Sequence, residues 1–262
     1  MNGRLVRIAA PLAVGVLFLV GWETLVRLER LPPYVLPGPL LVAETLWRDG
    51  PSLLGSLLVT LRITLAALAA AILVGGALAI LFAQSRLLEI SLFPYAVILQ
   101  VTPIVAIAPL IIIWLRDQVF LSLLVCAWIV AFFPIVANTT LGLNSADRNL
   151  VDLFRLYGAS RWQTLRHLRL PSALPYFLAG VRISGGLALI GAVVAEFVAG
   201  TGGADTGLAS RILEAGYRLQ MARLFAALLL LAATGIAIFA ALSFVARLLI
   251  GHWHESALPR EE

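Results

Sequence analysis

The residues best suited to chemistry are few, and their placement argues against most of it. His167 lies among arginines and His252 and His254 lie in a polar carboxy-terminal tail, so the three do not converge readily as a triad base or a metal set. The serines are scattered without a nucleophile elbow. Cys126 is the single cysteine and sits in an apolar run, which excludes a disulfide framework and suits a small buried hydrophobe. The stretch GTGGADTG at 200–207 invites a phosphate-loop reading, yet a Walker A loop needs a lysine and the chain has none. The sequence therefore predicts no enzyme, no cofactor and no metal, and the chain cannot hydrolyse ATP by that route.

The polar residues that remain fall into two groups. The first is the segment 152–171, DLFRLYGASRWQTLRHLRLP, an arginine-studded island in apolar sequence. Its pattern predicts a short helix, a bend at Gly158, and a second helix capped by Ser160. Trp162, Leu165 and Leu168 recur every three residues on that second helix, and Leu170-Pro171 is expected to end it, because the residue before proline is pushed out of helical geometry. The second group is scattered. Gln100 and Thr102 adjoin Pro103, which with Pro94 and Pro109 should break a hydrophobic span. Broken backbone at membrane depth survives only where protein or a water-filled cavity receives the freed groups, so this span is a candidate for lining a solute path or for a packing kink. Pro134 with Asn138 forms a similar, weaker site, and Glu196 is the only acid of its span. A carboxylate facing lipid is expensive, so Glu196 should face the bundle, a partner or the headgroup region, as an anchor, a gate or a solute contact.

The elements that carry these residues follow from composition. Of 262 residues, 61% are apolar and 13% charged, against roughly a quarter charged in an ordinary soluble domain. Uncharged runs cover 63–85, 90–115, 118–146 and 224–246, each long enough for the ~20 residues that a bilayer span needs. Shorter candidates begin at Ile8 and Phe177, giving six helices and an all-α membrane protein. The first stretch is longer than a signal-peptide core and contains Trp22 and Glu23, which suits a retained span. Residues 1–262 read as a single transmembrane domain: a first external loop at 27–62 with a short interfacial helix over 40–46, a cytoplasmic loop at 147–176, and a cytoplasmic tail at 249–262. Ala67, Ala71, Gly75 and Ala79 share one face of the second span, which suits close helix packing in lipid or else reflects only the high alanine content of the chain.

Arginine placement sets the orientation. With the amino terminus in the cytoplasm, eleven arginines fall inside and eight outside, and several of the outside ones neighbour acids. This puts both termini and the 152–171 segment in the cytoplasm. The net charge of +5 is thus topological, and no nucleic-acid partner is implied.

The 152–171 segment resembles the signature of the membrane-spanning subunits of bacterial binding-protein-dependent ABC importers: EAA, three residues, G, nine residues, I, one residue, LP. Asp152-Leu153-Phe154 stands at the EAA position, Gly158 at the glycine, Leu168 at the isoleucine, and Leu170-Pro171 at the end, with the spacing intact. Both alanines are lost and aspartate replaces glutamate. YGASRWQTLRHLRLPSALPYFLAGVRI, VTPIVAIAPLIIIW and GAVVAEF are similar to the nitrate, sulfonate, taurine and thiamine-precursor branch.

The resemblance implies a type I ABC importer-like transmembrane domain in the bacterial inner membrane. It also implies a second copy of the chain, two cytosolic ABC ATPase subunits, an extracytoplasmic solute-binding protein, surrounding membrane lipid and a small-molecule solute. Asp152, Leu153, Phe154, Arg155, Gly158, Ala159, Ser160, Arg161, Trp162, Leu170 and Pro171 would then dock or support the ATPase contact, with Trp162 and Pro171 as supports. Gln100, Thr102, Pro103, Asn138 and Glu196 would line or gate the path. FFPIVANTTLGL and AVVAEF lean toward heteroaromatic nutrients such as a pyrimidine precursor of thiamine, with sulfonates, taurine and nitrate behind. A secondary transporter or a non-transporting structural subunit are the alternatives, and dependence on an ion gradient without ATP would favour the former.

Overall fold

The computed structural model describes residues 3–115, 117–200 and 206–251, with side chains from residue 9 onward. Arg116, residues 201–205 of the glycine-rich stretch, and His252 and His254 of the tail lie outside the described residues. The described chain is helical: α1 (Gly3–Leu28), α2 (Pro39–Gln84), α3 (Arg86–Val101), α4 (Ile104–Trp114), α5 (Val119–Asn144), α6 (Arg148–Leu156), α7 (Arg161–Thr164), a π-helical turn (Leu165–Arg169), α8 (Leu170–Ala199), α9 (Leu208–Tyr217) and α10 (Met221–Ile250). Five helices are long and apolar enough to cross a membrane, or six if α3 and α4 count as one broken span.

Two elements differ from the sequence expectation, and the third span breaks as its prolines predict. The interfacial helix expected over 40–46 is continuous with the second span, in one 46-residue helix that contains Pro51. At ~1.5 Å per residue α2 is roughly 70 Å long, more than twice the ~30 Å hydrocarbon core. Tertiary contacts around Pro51 offset its missing donor: Asp49 takes Arg223 at 3.6 Å and Ser56 takes Arg211 at 3.1 Å. The third span is sharply broken, with α3 and α4 bent by 99° between Val101 and Ile104. Finally, Leu170-Pro171 does not end a helix. The chain runs through the π turn into α8, with Pro171 the second residue after that turn.

The helices group into two units, each packed chiefly on itself. One comprises α1, the amino-terminal part of α2, α9 and the start of α10. Within it Trp22 meets Phe225 with ring centroids 5.6 Å apart, and the α1 carboxylate of Glu23 holds Arg27 at 2.6 Å. The other unit comprises α2 from Thr60, α3 to α8, and the rest of α10. Its principal helix pair is α5 with α8. There the buried Ser184 hydroxyl donates to the Ala131 carbonyl at 2.6 Å, and a Cβ added at Gly191 would lie 2.8 Å from Ala127 Cα. The small-residue face of α2 packs on α5: Ala67, Ala71 and Ala79 are fully buried, and a Cβ at Gly75 would lie 3.2 Å from Ile135 Cγ2.

Candidate functional site

The segment 147–171 builds its own rigid turn. Asp147 caps α6 by accepting from Asn149 N at 2.8 Å, and α6 carries its charges and apolar residues on opposite faces. Gly158 ends it at φ +69°, with Gly158 N donating to Arg155 O at 3.0 Å and Ala159 N to Phe154 O at 2.9 Å. That pair of bonds is a Schellman closure, which needs a left-handed residue and so favours glycine. Nothing lies within 4 Å of an added Cβ there, so within this chain the glycine serves the turn and not a close approach.

Ser160 caps the next helix as its type predicts, and Gln163 completes a reciprocal box. Gln163 N donates to Ser160 Oγ at 3.2 Å, and Ser160 N donates to Gln163 Oε1 at 2.7 Å. The S-x-x-Q spacing was the available signal for Gln163. Both helix ends that face each other across Gly158 are therefore capped by hydrogen bonds.

Two side chains tie this turn to the bundle. Leu165 is fully buried and clusters with Ala79 of α2, Leu143 of α5 and Ala173 of α8. Arg169 Nη1 donates to the Ala83 carbonyl in the last turn of α2 at 3.0 Å. Neither was a predicted site residue; both follow from tertiary proximity. On the outer side Asp152 and Arg155 pair at 3.2 Å and are exposed, as are Leu153, Ser160 and Arg161, while Phe154, Ala159 and Leu170 are half-buried. Leu156 and Tyr157 are exposed by 85% and 83%, an apolar pair that sequence reasoning left out of the site. Trp162 is 63% exposed and Pro171 is exposed, so neither props the turn from within this chain, and Trp162 stands on the outward face.

The path residues come together only in part. Gln100, Thr102 and Pro103 meet at the α3–α4 break, where Thr102 closes α3 through its N–H and Oγ1 on Ile98 O at 3.1 and 2.7 Å. Gln100 is exposed. Asn138 donates to Pro134 O at 2.8 Å, and a Cβ at Gly180 would come within 3.1 Å of its Cβ, which puts Asn138 at the α5–α8 contact. Glu196 is 1% exposed, near the end of α8, so its burial by the chain itself exceeds the interfacial placement that its position suggested.

A charge cluster around α9 was also missed. Arg211 and Arg218 each reach Glu214 at 3.0 Å, and the Arg211 hydrogen bond, followed by the nearby arginine charges, holds the Glu214 carboxyl below the ordinary glutamate range. The i, i+3 and i+4 spacing of these three residues was the readable signal.

A family model described as "Binding-protein-dependent transport system inner membrane component" matches residues 71–254. A riboflavin transport system permease protein of Chloroflexus aurantiacus is 36% identical over 92% of this chain and 88% of its own length. A formylaminopyrimidine transport permease protein of Halalkalibacterium halodurans is 32% identical over 92% of this chain and 94% of its own. A putative aliphatic sulfonates transport permease protein of Bacillus subtilis is 32% identical over 82% of this chain and 76% of its own. Among solved structures, an amino acid ABC transporter with histidines shares the fold, with a TM-score of 0.62 at 17% identity, over 78% of this chain and 95% of the other.

Proposed function

The chain belongs to the family of binding-protein-dependent transport system inner membrane components, and from that premise we propose how it works as the multi-pass, non-catalytic permease subunit of an ABC-type importer. An ATPase and a solute-binding protein are its partners by family architecture. Two copies of this chain pair with two cytosolic ATPase subunits in the bacterial inner membrane, and the solute-binding protein delivers cargo from the opposite face.

The observation that carries this reading is the rigid turn at 147–171, exposed outward through Arg155, Leu156, Tyr157, Arg161 and Trp162 and anchored inward through Leu165. Closure of the ATPase dimer presses on the outward residues. Because both helix ends flanking Gly158 are hydrogen-bonded, the turn transmits displacement as a unit instead of absorbing it. Leu165 and Arg169 then pass it to α2, α5 and α8. The α3–α4 break, with Gln100, Thr102 and Pro103, lines the solute path, and Glu196 contributes a gate contact. The cargo is a small heteroaromatic nutrient, a class supported by relatives named for riboflavin and formylaminopyrimidine transport.

The test is reconstitution of the chain with the ATPase and solute-binding protein encoded beside it. Riboflavin or a formylaminopyrimidine should stimulate ATP hydrolysis and enter vesicles only with ATP. Uptake driven by a proton or sodium gradient without ATP would overturn the coupling mechanism, and stimulation by an alkanesulfonate alone would overturn the cargo class.

A further inference from the structure

A cavity of about 610 Å³ lies between the α2–α3 junction and the 151–169 segment, and its lining is basic. Arg86, Arg155, Arg161 and Arg169 all line it, and no carboxylate does. Two of the four are neutralised from outside the lining, Arg86 by Glu89 at 3.0 Å and Arg155 by Asp152 at 3.2 Å. Among the described residues Arg161 forms no ion pair, and Arg169 makes its bond to a backbone carbonyl, not to a carboxylate. Two guanidinium charges therefore share one concave space without a counter-charge. The rest of the lining adds Gln84, Ser85 and Thr164, polar groups able to donate to an anion's oxygens.

We infer that this cavity binds a phosphate-bearing anion. Guanidinium forks match phosphate oxygens bidentately, and clustered arginines with no acid among them recognise such groups and repel cations. The site is argued from the cavity and its charges in the chain without its ATPase, and it shares Arg155 and Arg161 with the outward face assigned to ATPase contact. Two sources carry the same chemistry. Arg86 opens α3, and the side chains directly after it, Leu87 and Ile90, are apolar and exposed. A lipid with an anionic headgroup would place its phosphate in the cavity and its chains along that surface. A free phosphate would use the cavity only.

The experiment uses the full chain purified in nonionic detergent and stripped of lipid. Native mass spectrometry counts bound phosphatidylglycerol or phosphatidylcholine, and thermal unfolding is followed with added inorganic phosphate. One phosphatidylglycerol retained in preference to phosphatidylcholine, with phosphate alone giving no stabilisation, supports the site with a lipid as its source. Stabilisation by phosphate, with the two lipids retained equally, supports it with a free anion as the source. In either case Arg161→Gln and Arg169→Gln together should weaken binding about tenfold, the scale of losing charge-assisted hydrogen bonds. Arg161→Gln alone, at an exposed residue, should weaken it by a smaller factor and keeps the test valid if the double variant folds poorly. Equal retention of both lipids without a phosphate effect, or binding unchanged in the variants, would overturn the proposal. So would failure of either probe to bind while a cytosolic ATPase subunit does, since an acidic protein surface would then be the occupant.

Discussion

Arg169 Nη1 donates a 3.0 Å hydrogen bond to the carbonyl oxygen of Ala83, joining positions 86 residues apart. Ala83 lies in the last turn of α2, where carbonyls have no partner within the helix and the helix dipole presents partial negative charge. A guanidinium there satisfies the carbonyl and opposes the dipole at once, and it fixes the end of a transmembrane helix to the turn that would meet the ATPase.

Arg169→Ala should therefore loosen that joint. The expected cost is about 1 to 2 kcal/mol of stability, the range for a charged hydrogen bond at a helix end. In proteoliposomes solute uptake per ATP hydrolysed should fall while the ATPase still co-purifies. An unchanged ratio of transport to hydrolysis would show that the joint carries no motion.

Gly158 makes a sharper prediction because its Cβ position is empty while its φ is +69°. A β-branched replacement, Gly158→Val, should cost roughly 1 to 2 kcal/mol through backbone strain. Asparagine tolerates this region, so Gly158→Asn should fold and assemble close to wild type. If the two variants lose transport equally, the partner needs the missing side chain and not the turn. Parallel uptake assays with a pull-down of the ATPase make the comparison.

Leu165 tests the other anchor. Truncation to alanine removes a fully buried side chain from the cluster with Ala79, Leu143 and Ala173, at an expected cost of about 2 to 5 kcal/mol. A milder Leu165→Met should stay within ~1.5 kcal/mol. Thermal unfolding in detergent, with uptake measured on the same preparations, separates loss of folding from loss of coupling.

At the α5–α8 contact, Gly191→Ala should destabilise the pair by about 1 to 3 kcal/mol, since the new Cβ would meet Ala127 Cα at 2.8 Å. Gly186→Ala, with nothing within 4 Å of its added Cβ, is the control on the same helix and should be neutral or slightly stabilising. Relative expression and midpoint of unfolding read both.

Glu214 predicts an acid-sensitive segment. Its folded pKa lies below the ordinary glutamate value because Arg211 donates to it and Arg218 stands beside it. A depressed folded pKa gives stability that is complete above the unfolded pKa of ~4.3 and is lost as pH falls through the lower folded value. Protection of the α9 amides, corrected for the intrinsic exchange rate at each pH, should fall in that acid window in the wild type, and Glu214→Gln should show the lower protection already at neutral pH with little further change on acidification.

Much of the 147–171 turn was legible in the sequence because its determinants are local. Gly158, Ser160 and the i, i+3 spacing around them act within one or two helical turns, and the structure places the bend and the cap where those types predict. The places where the reading failed are those that distant contacts decide. Residues 40–46 read as a separate interfacial helix, yet Arg223 and Arg211 hold both sides of Pro51 and α2 runs through. Leu170-Pro171 reads as a stop, yet the π turn before it relieves the proline clash and the helix continues.

From the sequence alone came the membrane class, the apolar runs, the missing lysine that excludes a Walker A loop, and the spaced glycine and proline of the turn. Those properties depend on composition and near-neighbour spacing. Only the tertiary structure decided that α3 and α4 bend by 99°, that Leu165 and Arg169 join the turn to α2, α5 and α8, and that arginines from two separate segments share one cavity. Each of these brings together groups tens of residues apart, and no local periodicity encodes which distant carbonyl, side chain or charge a residue will meet.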